Sequence, residues 1–128
     1  MALREKLRVM VVDDMSTSRG LIVQALEAFG IQSVSHAPSG AEALEALRSA
    51  PVHLIISDYN MPGMDGLQFL STLRAQKSTR DTGFILITGR ADRQLIEEGQ
   101  RLGMNNFLKK PFQPVELRQC IEAVVGRL

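Results

Sequence analysis

Three aspartates in this 128-residue chain stand where short apolar runs give way to polar residues: Asp13 and Asp14 after Val9–Val12, and Asp58 after Leu54–Ile56. Thr88 closes the run Phe84–Ile87, and Lys109-Lys110-Pro111 closes Phe107-Leu108. If the fold gathers these ends, three carboxylates, a hydroxyl and an ammonium meet on one edge. Packed carboxylates repel and raise one another's pKa unless a cation sits among them. A hard divalent ion with oxygen ligands answers that repulsion, and Mg²⁺ suits one or two carboxylates plus a phosphate. Each residue alone has a duller use: the Asp pair as a helix cap, Thr88 as a strand end, the lysines as solvated charge. The conjunction at separate strand ends is what points to a site.

The elements that must position these residues are legible from periodicity. Near-continuous apolar runs of strand length predict strands covered on both faces, as in a parallel sheet between helical layers. The weaker run Val34–Ala37 suits an edge strand. Between the runs lie segments of helical period. Leu21, Ile22, Ala25, Leu26 and Phe29 predict one inward stripe, stopped by Gly30. Ser39 with Glu42 predicts a capping box before Ala43, Leu44 and Leu47. Asp65 caps a third helix through Leu67, Leu70 and Leu73, and Asp92 a fourth through Leu95, Ile96 and Gly99, ended by Gly103. Pro114 opens a fifth, with Leu117, Ile121, Val124 and Leu128 inward. Five strand–helix alternations with short connections predict an α/β fold, a single-domain (βα)5 doubly wound parallel sheet over residues 1–128 with right-handed crossovers. In such sheets the functional crevice lies beyond the carboxyl ends of the strands, where the predicted site residues stand.

Composition sets outer bounds. With 45% hydrophobic residues the chain can bury a sizeable core, and a net charge of +1 gives no general attraction to nucleic acid or acidic membranes. No apolar stretch approaches the roughly 20 residues of a membrane span. The single Cys120 cannot form an internal disulfide and lies on the fifth helix's apolar stripe, which predicts a structural thiol. Neither His36 nor His53 belongs to a Cys/His cluster, so both are expected to be structural. The expectation is a soluble cytoplasmic domain, without nucleic-acid binding or membrane insertion.

The segment Val11-Val12-Asp13-Asp14-Met15-Ser16-Thr17-Ser18-Arg19 resembles the opening of receiver domains of two-component response regulators, those of the CheY chemotaxis type above all. Ser57-Asp58-Tyr59-Asn60-Met61-Pro62-Gly63-Met64-Asp65-Gly66 resembles that family's phosphoacceptor loop. Ile87-Thr88-Gly89 and Lys110-Pro111-Phe112 match its remaining motifs in order and spacing. The similarity runs essentially the whole length of the chain. It implies the flavodoxin-like strand order 2-1-3-4-5, for which CheY is a standard example.

It also implies roles. Asp58 accepts a phosphoryl group from a histidine kinase. Mg²⁺ is held by Asp14, Asp58 and the backbone carbonyl of Asn60, with Asp13 acting largely through water. Lys110 and Thr88 bind phosphoryl oxygens, and Gly89 leaves the approach open. Pro62, Gly63 and Gly66 shape the loop after Asp58, and the Lys110–Pro111 peptide is cis. Lys109 falls on the other side of its strand. Phosphorylation draws Thr88 inward and an aromatic on the fifth strand follows; here that position is Phe107, where many relatives carry Tyr. Asn60 and Arg90 flank the path of attacking water, so Arg90 is expected to lengthen the life of the phosphoryl group. The fourth helix, fifth strand and fifth helix form the family's usual partner face, on which Arg93, Gln94, Glu97, Arg101 and Asn105 are candidates. The expected output is chemotactic, by binding a flagellar motor switch protein, with a phosphatase as a further partner. The alternative is a phosphate sink or a relay to a histidine phosphotransfer protein. Either way the chain is a signalling protein that catalyses only its own phosphotransfer and dephosphorylation.

Other readings fit less well. Haloacid-dehalogenase-like phosphatases also use an aspartyl-phosphate and Mg²⁺, but they resemble Asp-x-Asp on the first strand. Here the candidate Asp58-Tyr59-Asn60 is on the third, and Asn60 cannot shuttle a proton. An EF-hand over Asp58–Phe69 fails because Pro62 holds a ligand position and Phe69 stands where a bidentate Glu belongs. No Gly-rich nucleotide loop follows the first strand.

Overall fold

Every predicted apolar run forms a strand: β1 Arg8–Val12, β2 Ser33–Ala37, β3 Leu54–Asp58, β4 Gly83–Thr88 and β5 Asn106–Lys109. The computed structural model describes residues 2–90 and 92–128. All strand pairs are parallel, and the sheet order is β2-β1-β3-β4-β5, as the family resemblance implied. Among the described residues six helices accompany it: α1 Leu3–Lys6, α2 Ser16–Ala28, α3 Gly40–Ser49, α4 Gly66–Ala75, α5 Arg93–Arg101 and α6 Pro114–Val125.

The alternation of side chains along each strand divides the core between the two faces of the sheet. Met10, Val12, Ile55, Phe84 and Leu86 pack with Ala43, Leu70, Leu73 and Leu95 from α3, α4 and α5. Val9, Val11, Ile56, Ile85 and Ile87 pack with Ile22, Leu26, Leu117 and Ile121 from α2 and α6. Burying a large aliphatic or aromatic side chain of this kind contributes about 1.5–3 kcal/mol. Phe69 meets Phe84 edge-on, with ring centroids 6.0 Å apart.

The predicted caps form where the polar residues stand. Ser39 Oγ accepts the Glu42 amide at 3.1 Å, Asp65 Oδ1 that of Gln68 at 2.8 Å, and Asp92 Oδ1 that of Leu95 at 2.8 Å. Glu42 departs from a full capping box: its carboxylate accepts from the Ser39 hydroxyl at 3.4 Å. Gly30 and Gly103 end α2 and α5 at φ +90 and +95, in the left-handed region that glycine enters without steric cost.

Two local expectations need correction, and one short helix went unexpected. Leu21 is 63% exposed, because α2 seats on the sheet through Ile22 and Leu26 and turns Leu21 to the side. Leu128 is buried, but not as part of a helical stripe: α6 stops at Val125, Gly126 turns at φ +98, and Leu128 folds back with its amide on Glu122 Oε2 at 3.0 Å. The short α1 had no periodic signal. Leu3 packs on the α2/α6 side of the core, and the Gln32 amide donates to the Arg4 carbonyl at 3.3 Å.

Cys120 is buried, its thiol 3.6 Å from the Phe107 carbonyl, and burial pushes its pKa up to about 11. That is the inert structural thiol expected from the sequence. His53 is likewise structural, its Nδ1 accepting the Arg8 amide at 3.0 Å. No helix among the described residues is long and apolar enough to cross a membrane.

Candidate functional site

Strand register decides which residues meet. Val12 pairs with Ser57, Asp58 with Ile87 and Thr88 with Lys109, so Asp13, Asp58, Thr88 and Lys110 emerge together at the carboxyl edge. Three backbone bonds carry the ladder past the strand ends: Asp13 to the Ala37 carbonyl at 3.1 Å, Tyr59 to Ile87 at 2.8 Å and Lys110 to Thr88 at 2.8 Å. The reactive side chains are therefore mounted on fixed backbone rather than on free loops. The Lys110–Pro111 peptide is cis.

Asp13, Asp14 and Asp58 each offer one carboxylate oxygen to a cluster in which these atoms lie within 4.8 Å of one another. Asp13 and Asp58 are buried, while Asp14 is exposed. Lys110 Nζ lies 3.1 Å from Asp58 Oδ1 and 3.9 Å from Asp13 Oδ2, and donates to Ser18 Oγ at 3.4 Å. One ammonium thus pairs with two of the three clustered carboxylates, Asp13 and Asp58. Burial pushes the Asp58 carboxyl above the ordinary aspartate range; Lys110 pulls against that shift and Asp13 adds to it. Asp13 Oδ1 accepts the Met15 amide at 3.0 Å, but its buried Oδ2 has no hydrogen-bond partner among the described residues. An orphaned, buried carboxylate oxygen beside two further carboxylates is a donor set suited to a hydrated divalent cation.

The loop after Asp58 is tightly seated. The Gly66 amide donates to the Tyr59 carbonyl at 2.8 Å, and a Cβ at Gly66 would come within 2.6 Å of the Asp58 carbonyl oxygen and 2.8 Å of Leu86 Cδ1. At Gly89, by contrast, a Cβ would meet open space, consistent with an unobstructed approach. The Thr88 hydroxyl accepts the Arg90 amide at 2.9 Å and is 3.3 Å from the Arg90 carbonyl.

This combination is matched by a family model for the response regulator receiver domain over residues 9–122. The chain belongs to that family. This receiver is 41% identical to a probable chemotaxis protein CheY of Rhizobium etli, over 100% of its own length and 99% of the relative's. Among solved structures, chemotaxis protein CheY4 of Vibrio cholerae superposes with a TM-score of 0.87 at 32% identity, covering 92% of this chain and 98% of that one. The receiver domain of the sensor histidine kinase PA1611 from Pseudomonas aeruginosa, with a magnesium ion coordinated in its active-site cleft, gives a TM-score of 0.84 at 26% identity, over 94% and 98% of the two chains. The receiver is thus CheY-like, a two-component signalling module rather than a conventional enzyme.

Among the described residues, no side chain of the remaining candidates bonds to the clustered aspartates. Asn60 is exposed. Phe107 is partly buried against the α3–α5 side of the core and pairs in register with Leu86. Arg93 and Glu97 pair with each other on α5 at 2.8 Å, Arg101 pairs with Glu98, and Gln94 is exposed beside them. Asn105 is exposed as a residue, yet its Oδ1 accepts from the Phe84 amide at 2.8 Å and from Arg74 Nη2 at 3.2 Å. Those bonds tie it to the start of β4. Two supporting residues carried no role in the sequence reading: Ser18, which receives Lys110, and Arg19, whose Nη1 donates to the Asp13 carbonyl at 2.8 Å. Both lie within the quoted first motif, at the start of α2.

Proposed function

We propose that residues 1–128 form one receiver domain, a phosphorylation-activated switch that accepts a phosphoryl group on Asp58 from a histidine kinase. The observation that carries this reading is the buried Asp58 carboxylate, 3.1 Å from the Lys110 ammonium and clustered with Asp13 and Asp14. Asp13, Asp14, Asp58 and the Asn60 carbonyl would hold Mg²⁺, which when bound neutralises charge on the phosphoryl group during transfer. The chain's own residues do the rest. Asp58 offers an oxygen to phosphorus while the donor histidine nitrogen departs with the electron pair of its bond. Lys110, already placed at that oxygen, turns to the new phosphoryl oxygens as a charge-assisted donor. Thr88 exchanges its bond to the Arg90 carbonyl for another phosphoryl oxygen, and Phe107 moves into the space it leaves.

Homologue names support a chemotactic role. On this reading the protein works in the cytoplasm, with a flagellar motor switch protein as the output and a phosphatase as a further partner. The second output, phosphate sink or relay to a histidine phosphotransfer protein, uses the same site. Titration with a motor-switch peptide separates them. The beryllofluoride-loaded protein is expected to bind at least about tenfold more tightly than the free protein, a coupling of roughly 1.4 kcal/mol. Equal affinity in the two states would remove the messenger role and leave the sink.

A further inference from the structure

Asp92 divides its two carboxylate oxygens between different tasks. Oδ1 caps α5 through the Leu95 amide at 2.8 Å, while Oδ2 receives the Arg90 guanidinium through Nη2 at 2.8 Å and Nε at 3.1 Å. Arg90 is held at its other end too, by its amide on the Thr88 hydroxyl at 2.9 Å. Arg90 lines a small polar pocket with Tyr59, Asp92, Gln94 and Glu98, and none of the three clustered aspartates borders that pocket. The side chain is 73% exposed, so solvent and the Asp92 pair are what fix its direction.

We propose that Asp92 is a positioning residue for phosphoryl lifetime: it latches Arg90 onto the start of α5 and away from the phosphoryl group on Asp58. The inference rests on Asp58 being the phosphoacceptor. Hydrolysis joins a water oxygen to phosphorus and breaks the bond from phosphorus to the Asp58 carboxylate, which keeps the electron pair as the water proton passes to solvent. A guanidinium drawn to the dianionic phosphoryl oxygens stands in the way of that water. Every moment spent on Asp92 is time away from that post. An exposed ion pair of this kind biases a population by about two- to fivefold, and that sets the scale of the effect.

The test uses Asp92→Asn, because asparagine caps a helix as well as aspartate but lacks the charge that holds Arg90. Wild type, Asp92→Asn, Arg90→Ala and the double variant are loaded with acetyl phosphate and Mg²⁺, freed of donor, and followed by intact mass as the adduct decays. Asp92→Asn is expected to lengthen the lifetime about two- to fivefold. Arg90→Ala shortens it, and the double variant matches Arg90→Ala. Asp92→Ser, a second capping residue without charge, repeats the lengthening, and thermal midpoints stay near wild type. An adduct that forms normally but decays at the wild-type rate in Asp92→Asn and Asp92→Ser overturns the latch alone. So does a lengthening that persists without Arg90. No adduct on wild type overturns the phosphoacceptor reading and the latch with it.

Discussion

Lys110→Ala is expected to slow phosphoryl uptake from acetyl phosphate about a hundredfold or more. Removing a single pre-aimed donor from a site of developing charge costs on this order. In the free protein Lys110 is the one side-chain cation within salt-bridge reach of the Asp13 and Asp58 carboxylates among the described residues. Its side chain is 29% exposed and the two carboxylates nearly fully buried, so loss of the partner leaves buried negative charge uncompensated. A destabilisation of about 2 kcal/mol near pH 7 without metal follows, measurable by urea titration.

That penalty has a defined pH dependence. Asp58 already titrates above its ordinary value of 3.8 because burial disfavours its charge, and without Lys110 it moves further up. The folded state then binds a proton more readily than the unfolded chain, so stability falls as pH rises past that ordinary value. Lys110→Ala should therefore approach wild-type stability as pH drops and Asp58 protonates. A deficit that grew in acid would contradict the assignment of Lys110 as the counter-ion of Asp58.

Gly66→Ala is expected to cost about 1–3 kcal/mol and to slow phosphorylation as well, through overpacking against backbone. Gly66 opens α4, where alanine would ordinarily be the better helix former. Here the added Cβ would meet the Asp58 carbonyl oxygen at 2.6 Å and Tyr59 Cα at 2.9 Å, and neither is the movable tip of a side chain. Relief requires the backbone at the phosphoacceptor to shift. Gly20 supplies the control: it is inside α2, and a methyl added there would have nothing within 4 Å, so Gly20→Ala should stabilise by about 1 kcal/mol. Urea midpoints of the two variants should move in opposite directions. Like-signed shifts would mean that helix propensity, not contact with the Asp58 backbone, governs position 66.

The sheet was legible because both its faces are covered, so β1, β3 and β4 read as uninterrupted apolar runs. Caps were legible for a related reason: Ser39, Asp65 and Asp92 are short polar side chains placed immediately before amphipathic stretches. The gathering of Asp13, Asp58, Thr88 and Lys110 followed from topology, since parallel strands bring all their carboxyl ends to one edge. What escaped was side-chain direction at the margins. Helical period puts Leu21 next to Ile22 but cannot say how far α2 rolls on the sheet, and α1 is too short for any period to register. Asn105 is exposed, as a place on the family's partner face implies, but the sequence does not show that its amide oxygen also bonds the Phe84 backbone. Nor does the sequence reveal that Asp92 serves α5 and Arg90 at once, because that depends on which oxygen faces which neighbour.

The most direct test is intact mass after incubation with acetyl phosphate, with and without Mg²⁺, for wild type and Asp58→Asn. One added phosphoryl group on wild type, dependent on Mg²⁺ and absent from the variant, is the expected result. An adduct of equal yield on Asp58→Asn, or one formed equally well without Mg²⁺, would contradict the assignment of Asp58 and its acidic neighbours as the phosphoacceptor site.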